Sequence, residues 1–419
     1  MRSAAMTVEA NKAVAVEAGV DAASASAARK TVFGRGFWLL FWATFALNSS
    51  SNMFVLFPLY LVKLGAGAKM IGAVVGTFSL AALAARPGVG ILLDRSGRQR
   101  TAMLLLALDV AVIGLYLTLG GLGLPMFAVR TIHGVVEGTA RVALFAMVYE
   151  FLPVEGAGRA MSIFSLCGMG SAGVGPVLGE WVIGRWGFAG FFGVAMTLIA
   201  IAASATALIH DDRRAVHAGG TAQTPQGPGY ATLLGDRALM PLWIATVLFS
   251  LSISPRLSFV APFAQQKGIT DVAWYFVLYS VPAVLVRMFG ARLMDDVGLE
   301  RMVAPSLAVL GIGMALIAGA GKFQMLYVAA LVGGLGHGYV YPALSALVIR
   351  RTHANSSGRS SSIYSSLYDI GMMAGPYGLG VVASLSGYGP MFIFSGVIAL
   401  GGAAFFIVAE PDARPRRMA

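Results

Sequence analysis

The sequence predicts an all-α membrane protein of twelve transmembrane helices in two pseudo-symmetric six-helix bundles, on three observations. The first is composition. Of 419 residues, 57% are hydrophobic and only 12% charged, which is more apolar surface than a water-soluble core can enclose. The second is a recurrence of apolar runs of ~20 residues, each long enough to cross a bilayer and each closed by a short polar or Gly/Pro break. The third is an internal repeat. "GRAMSIFSLCGMGSAGVGPVLG" from Gly158 aligns with "GRSSSIYSSLYDIGMMAGPYGLG" from Gly358, and Ser162, Ile163, Ser165, Gly175 and Pro176 fall opposite Ser362, Ile363, Ser365, Gly375 and Pro376 at a separation of 200 (362 − 162). "RPGVGILLDRSGRQR" from Arg86 aligns with "RMFGARLMDDVGLER" from Arg287, pairing Arg86, Asp94, Gly97 and Arg100 with Arg287, Asp295, Gly298 and Arg301 at a separation of 201 (287 − 86). Two matches at nearly one offset imply two copies of one design.

In chain order, residues 1–36 are Ala-, Val- and Ser-rich and lack the compact apolar block of a signal peptide. Glu9, Glu17 and Asp21 argue against a transit sequence, so a disordered cytoplasmic extension is expected. Spans over 37–62, 70–92, 101–121, 126–149, 159–183 and 188–209 compose an N-terminal bundle, residues 37–210. Residues 211–240, rich in Gly, Pro, Gln and Thr, form the one long polar interruption and read as a cytoplasmic linker. Spans over 241–264, 272–294, 302–320, 323–348, 361–384 and 389–409 compose a C-terminal bundle, residues 241–410, and 411–419 is a cytoplasmic tail. The runs are continuous and lack the alternation of a two-faced membrane strand, which excludes a β-barrel and leaves helices.

A net charge of +11 on a soluble protein would suggest nucleic acid. Here the basic residues sit at span ends without aromatic stacking platforms, so they read as orientation signals and no nucleic-acid partner is expected. Arg95, Arg98, Arg100, Arg159, Arg213, Arg214, Arg301, Arg350, Arg351, Arg359, Arg414, Arg416 and Arg417 share one side if the spans alternate. By the positive-inside rule that side is cytoplasmic, which puts both termini inside a bacterial inner membrane. The single cysteine, Cys167, lies within a span, so disulfides and cysteine-based metal sites are not expected. The Asn-x-Ser triplets at Asn48 and Asn355 fall within a span and on the cytoplasmic side, where neither can accept a glycan.

On these residues the chain resembles the major facilitator superfamily. "GILLDRSGR", with Gly90, Asp94, Arg95, Gly97 and Arg98, is similar to that family's loop motif between its second and third helices, and Arg100 follows Gln99, which stands at a usually basic position. In the second half the motif is eroded but keeps Asp295 and Arg301. The resemblance implies a cytoplasmic gate that latches the outward-facing state. Asp94 can satisfy orphan amides at a helix end, and the arginines can grip carboxylates and carbonyl ends, or the same charges can simply fix topology. "SAGVGPVLGE", Ser171 to Glu180, resembles the family's fifth-helix motif, typical of its antiporters, with Ser171 and Glu180 at two glycine positions. Its mirror "GMMAGPYGLG" spans Gly371 to Gly380. Gly175, Pro176, Gly179, Gly375 and Pro376 suit either a hinge that seals against proton leak or close helix packing.

The fourth span carries Arg130, His133, Glu137 and Arg141, which at about 100° per residue share an arc of about 80°. Unpaired intramembrane charges cost several kcal/mol, so this stripe faces a cavity or a partner helix. "RTIHG", Arg130 to Gly134, resembles the family's fourth-helix motif, whose arginine the resemblance links to proton coupling. Glu137 with Arg141 at i+4 forms a pair whose strength depends on a proton. Asp109 in the third span and Asp369 in the eleventh are the other carboxyl candidates, and each of the three acids can instead hold a static pair. Asn48 and Asn52 stand in the first span, where related drug exporters carry an acid. With Arg130, Arg256, His337, Tyr341, Tyr364 and Tyr368 they complete a candidate cavity. Its basic groups outnumber its acids, which favours an anionic or zwitterionic small molecule.

The expected function is proton-coupled efflux of a small organic molecule by alternating access, with proton-coupled uptake of an organic acid as the rival. Protons, lipid and substrate are the expected partners of a monomer that needs no cofactor or metal. HExxH, paired-cysteine and nucleophile-elbow motifs are missing from the sequence, which argues against a membrane enzyme.

Overall fold

A computed structural model describes residues 34–151, 157–209, 228–352 and 356–410. The expected N-terminal extension up to residue 33, the linker over 210–227, Asn355 and the tail 411–419 lie outside the described residues. So do the side chains of Asp94, Arg159, Ser162 and Asp295.

Every regular element among the described residues is helical. The first helix, α1, runs over Arg35–Lys63, with a 3-10 turn at Phe54–Leu56. It is followed by α2 (Ala68–Ser96), α3 (Arg98–Leu115) and α4 (Leu124–Phe151). Ala157–Ala207 is one run broken at Gly187 (φ 65°), which gives α5 (157–186) and α6 (188–207). After a short helix at Tyr230–Gly235 come α7 (Met240–Gln266), α8 (Ala273–Phe289, continued by Ala291–Val297), α9 (Leu299–Ala318), α10 (Phe323–Arg351), α11 (Ser357–Ser386) and α12 (Tyr388–Ala409).

Nine of the described helices are long and apolar enough to cross a membrane, and the Ala157–Ala207 run accounts for two of the twelve spans. The other two have physical reasons to fall short. Gly290 interrupts α8 after 17 residues, and α11 carries serines, tyrosines and Asp369 along its length. Prolines within α2, α5, α7, α8, α9, α10 and α11 are tolerated because neighbouring helices resatisfy the freed backbone groups.

The repeat governs both turns and packing. Left-handed glycines pair across the halves: Gly65 with Gly268, Gly97 with Gly298, and Gly187 with Gly387, each pair closing the same turn of its bundle. Packing repeats as closely. Gly134 and Gly138 of α4 abut Phe78 and Ala82 of α2, while Gly334 and Gly338 of α10 abut Tyr279 and Ala283 of α8. Small residues at these points let backbones approach in a solvent where hydrophobic burial between helices drives little.

The halves meet mainly along two crossings, α2 with α11 and α5 with α8, supplemented by the end of α1 on α7. The close contacts lie toward the face that carries the loops after odd-numbered helices. Gly72 sits against Pro376, a Cβ on it would lie 3.3 Å from Gly380 Cα, and Thr77 and Tyr377 share a 2.9 Å hydrogen bond. The Glu180 carboxylate on α5 accepts the N–H groups of Val272 and Ala273, both at 2.9 Å, and so caps α8 of the opposite half. At the other end of α2, Arg95, Gly97, Arg98 and Arg100 are exposed.

Candidate functional site

The charged stripe of α4 turns inward, and α1 and α3 supply its partners. Asp109, Arg130, His133 and Glu137 are each at most 4% exposed. The Glu137 carboxylate is held at both oxygens. Oε1 accepts from Ser51 Oγ (2.6 Å) and pairs with Arg141, whose Nη2 also donates to Ser51 (2.9 Å). Oε2 lies 3.3 Å from His133 Nε2, which is 3.5 Å from Asp109 Oδ1. The imidazole therefore stands between two carboxylates.

Its other nitrogen fixes the tautomer. Arg130 Nη1 lies 3.3 Å from His133 Nδ1, and a guanidinium can only donate, so Nδ1 accepts and the neutral ring carries its proton on Nε2, facing the acids. Tyr116 also reaches Nδ1, at 3.1 Å. Arg130 is itself caged by aromatic faces, with Cζ 4.4 Å from the Phe78 ring centroid, 4.7 Å from Phe57 and 5.5 Å from Phe54. Asp109, His133 and Glu137 could place ligand atoms within 4.8 Å of one another, a spacing that can suit a metal. A metal on Nε2 would require the Nδ1–H tautomer, which opposes the Arg130 donor, so the donor set fits a proton better than a cation.

Two cavities flank the halves' crossings. The smaller, about 220 Å³, lies between α2, α4 and α11 and is lined by Arg86, Glu137, Arg141 and Asp369, with Arg86 and Asp369 ion-paired between the halves. The larger, about 330 Å³, lies between α1, α5, α7, α8 and α10 and is lined by Asn52, Met169, Arg256, Tyr279, Arg287 and His337. Arg256 stacks on Tyr279 at 4.0 Å, and Arg287 lies 5.6 Å from the Tyr341 ring centroid.

Of the residues expected to line a cavity, Asn52, Arg256 and His337 share this one. Arg130 is enclosed by its phenylalanines instead, and Asn48 lends its carbonyl to the Asn52 amide (2.8 Å). Tyr341, Tyr364 and Tyr368 form an aromatic cluster on α10 and α11, with Tyr364 donating to the Tyr341 carbonyl (3.0 Å). Asp369 meets Arg86, a partner that the sequence reading did not assign to any site. Arg287, Tyr279, Ser51 and Glu180 were also missed as site residues. A signal for the arginines existed, because Arg86 and Arg287 are repeat equivalents that both fall inside apolar spans.

Among the expected gate residues, Gly90, Arg95, Gly97, Arg98 and Arg100 are exposed, Arg301 is half-buried on α9, and Arg98 donates to the Ala146 carbonyl of its own half (3.2 Å). The glycines of the fifth- and eleventh-helix motifs sit at close approaches. A Cβ on Gly175 would come within 2.7 Å of Asn52 Cβ, one on Gly179 within 3.2 Å of Leu56, and one on Gly375 would overlap Ser254, while Pro376 meets Gly72.

Known proteins share this organisation. The chain is 21% identical over 382 residues to the staphylopine export protein of Staphylococcus aureus, covering 88% of this chain and 94% of that protein. It is 25% identical over 346 residues to the multidrug resistance protein MdtG of Serratia proteamaculans, covering 78% and 80%. Crystal structures of the nucleoside transporter NupG (TM-score 0.76, 14% identity, 89% of this chain and 98% of that one) and of the peptide transporter POT in complex with sulfate (TM-score 0.73, 15%, 90% and 94%) have a similar fold. The Major Facilitator Superfamily model matches residues 37–270 and 242–418, each bundle in turn. With twelve long helices among its described residues, in two repeated halves, the chain belongs to the major facilitator superfamily and is a membrane transporter rather than an enzyme.

Proposed function

We propose that this transporter exports a small organic molecule across a bacterial inner membrane in exchange for protons, by alternating access and as a monomer. One observation carries the reading. Glu137, buried in a chain of ionisable groups, shares a cavity with Arg86–Asp369, the ion pair that bridges the two halves.

The coupling follows from that geometry. With Glu137 ionised, its carboxylate holds Arg141 and Ser51. A proton arriving on Glu137 cancels that attraction and frees Arg141, which lines the same cavity as Asp369 and competes with Arg86 for it. Exchange of one inter-half pair for another shifts the grip on α11 from α2 to α4 and so favours rearrangement of the bundles. His133 links Glu137 and Asp109, because its Nε2–H faces both acids and donates to whichever is ionised, so the charge on one bears on the other.

Orientation supports an inward-facing assignment. Arg95, Arg98, Arg100, Arg301, Arg350, Arg351 and Arg359 gather at the face where α2 ends exposed, against Lys63, Lys69, Arg185, Lys267 and Lys322 at the face where the halves close. The arginine-rich loops then lie in the cytoplasm, and the contacts around Gly72, Tyr377 and Glu180 seal the outside. Efflux is favoured over uptake by two relatives matched over most of their length, one named as an export protein and the other as a multidrug resistance protein.

The test is substrate-triggered pH change inside proteoliposomes of known orientation, screened over organic acids, sugars, metal chelators and cationic drugs. Protons moving against an active compound support the proposal. Protons moving with it establish symport and reject the efflux reading.

A further inference from the structure

The two cavities are repeats of one another. Ser79, Ala82, Leu83, Arg86 and Glu137 of the smaller correspond to Ser280, Ala283, Val284, Arg287 and His337 of the larger, at offsets of 200 or 201 (for example 287 − 86 and 337 − 137). Asp369 and Met372 on α11 likewise correspond to Met169 and Ala172 on α5 (369 − 169). The chemistry is not repeated. In the smaller cavity both arginines have an acid, Arg86 with Asp369 and Arg141 with Glu137. In the larger one the position of Asp369 is Met169 and that of Glu137 is His337, so the α5–α8 crossing keeps the arginine and loses both acids.

The consequence is an uncompensated positive site inside the membrane. The lining of the larger cavity holds Arg256 and Arg287 and no carboxylate, and neither arginine forms an ion pair among the described residues. Three buried polar atoms of the same wall, Arg256 Nε, Tyr279 Oη and His337 Nδ1, have no hydrogen-bond partner. Buried polar atoms left without partners are costly unless something else completes them, and Arg287, exposed at the cavity wall, is open to an anion. The stacking of Arg256 on Tyr279 fixes the guanidinium plane and leaves its N–H edge for a fork-shaped acceptor.

From this asymmetry we infer that the larger cavity binds the carboxylate of a small organic acid, whose oxygens take the place that Asp369 fills at the equivalent crossing. The inference rests on the transport reading and names the substrate class for it. Arg287 and Arg256 supply charge, and Tyr279 and His337 supply the remaining polar contacts. Phe276, Leu257 and Met169 leave room for an apolar body within about 330 Å³. The N-terminal half thereby handles the proton and the C-terminal half the anion.

The experiment uses purified full-length protein and a panel of benzoate, phenylacetate, succinate and leucine, each beside its uncharged amide or ester where one exists, with ethidium as a cation. Binding is measured by calorimetry and thermal shift. At least one carboxylate is expected to bind and its amide to bind about tenfold or more weakly, as expected for loss of a charge-assisted pair. Met169→Asp supplies the missing acid from the protein itself. It is expected to raise the melting temperature while weakening carboxylate binding by a similar factor, and Arg287→Gln is expected to weaken binding without raising the melting temperature. Amides or ethidium binding as tightly as the carboxylates would overturn the inference, as would carboxylate affinity unchanged in Met169→Asp and Arg287→Gln. If Met169→Asp fails to fold, Arg287→Gln and Arg256→Gln decide the matter alone. Proton-coupled transport of a neutral or cationic compound would sink this inference and leave the transport reading standing. Carboxylate binding with no coupled proton flux would do the reverse.

Discussion

Glu137 is the residue on which the coupling proposal stands, and glutamine is the substitution that isolates it. Glutamine keeps the shape and can still accept from Ser51 and Arg141, but it has no proton to give up. Glu137→Gln is therefore expected to purify as a monodisperse protein and to retain substrate–substrate counterflow, while substrate-driven proton movement falls to that of empty liposomes. Coupled proton flux at the parent rate in this variant rejects the assignment. Arg130 tests a different property of the same cluster, because lysine keeps its charge but lacks the plane that faces three phenylalanine rings and the fixed donor on His133. Arg130→Lys is expected to lower stability by about 2 kcal/mol, the scale of one desolvated cation–π contact, read as a lower melting temperature. The stripe itself was legible from the spacing of α4. Its partners were not, because sequence gives the depth of Asp109 and Ser51 in their spans but not the direction in which α3 and α1 turn them.

At the scale of elements, the closed face depends on small residues and one carboxylate. Gly72 on α2 lies so close to Pro376 and Gly380 on α11 that any side chain there meets backbone, which cannot move aside as a flexible tip can. Gly72→Leu is expected to hold that face open, with expression retained and transport lost, and accessibility of a cysteine in place of Thr77 to a membrane-impermeant maleimide is the check. Glu180 acts at the other crossing. It stands where the family's fifth-helix motif has glycine, a departure visible in the sequence whose purpose was not, since its N–H donors are met only when α8 of the other half arrives. There the carboxylate satisfies two amides at a helix start, where a negative charge is favoured. Glu180→Ala removes two charge-assisted hydrogen bonds of about 1.5–3 kcal/mol each, and is expected to shift the equilibrium away from the closed state by a factor of ten or more. Unchanged maleimide accessibility in this variant would mean that the cap only packs the helix.

For the whole molecule, the fold was readable from apolar runs and a repeat at an offset near 200, and the paired left-handed glycines follow that repeat turn for turn. What the repeat could not convey is that its two copies diverge where they matter: Arg86 and Arg287 align in sequence, but only the packing of α11 and α5 reveals that one pairs with Asp369 and the other shares its cavity with Met169. Pseudo-symmetry also means that the two faces compete for the same bundles, so a transporter of this design works only if the seal beside Thr77 and Tyr377 forms and breaks in each cycle. These two side chains, hydrogen-bonded at 2.9 Å, can be replaced by a cysteine pair after Cys167, buried and away from this crossing, is changed to Ser. In Thr77→Cys/Tyr377→Cys a bifunctional methanethiosulfonate reagent that spans the space left by the tyrosine ring is expected to cross-link the pair, to abolish net transport and counterflow together, and to release both on reduction. Combined with Glu180→Ala, the same pair is expected to cross-link more slowly, because the closed state is less populated. Transport that continues through the cross-link would show that substrate passes without separation of α2 from α11, and would exclude rocking of the two halves as the mechanism.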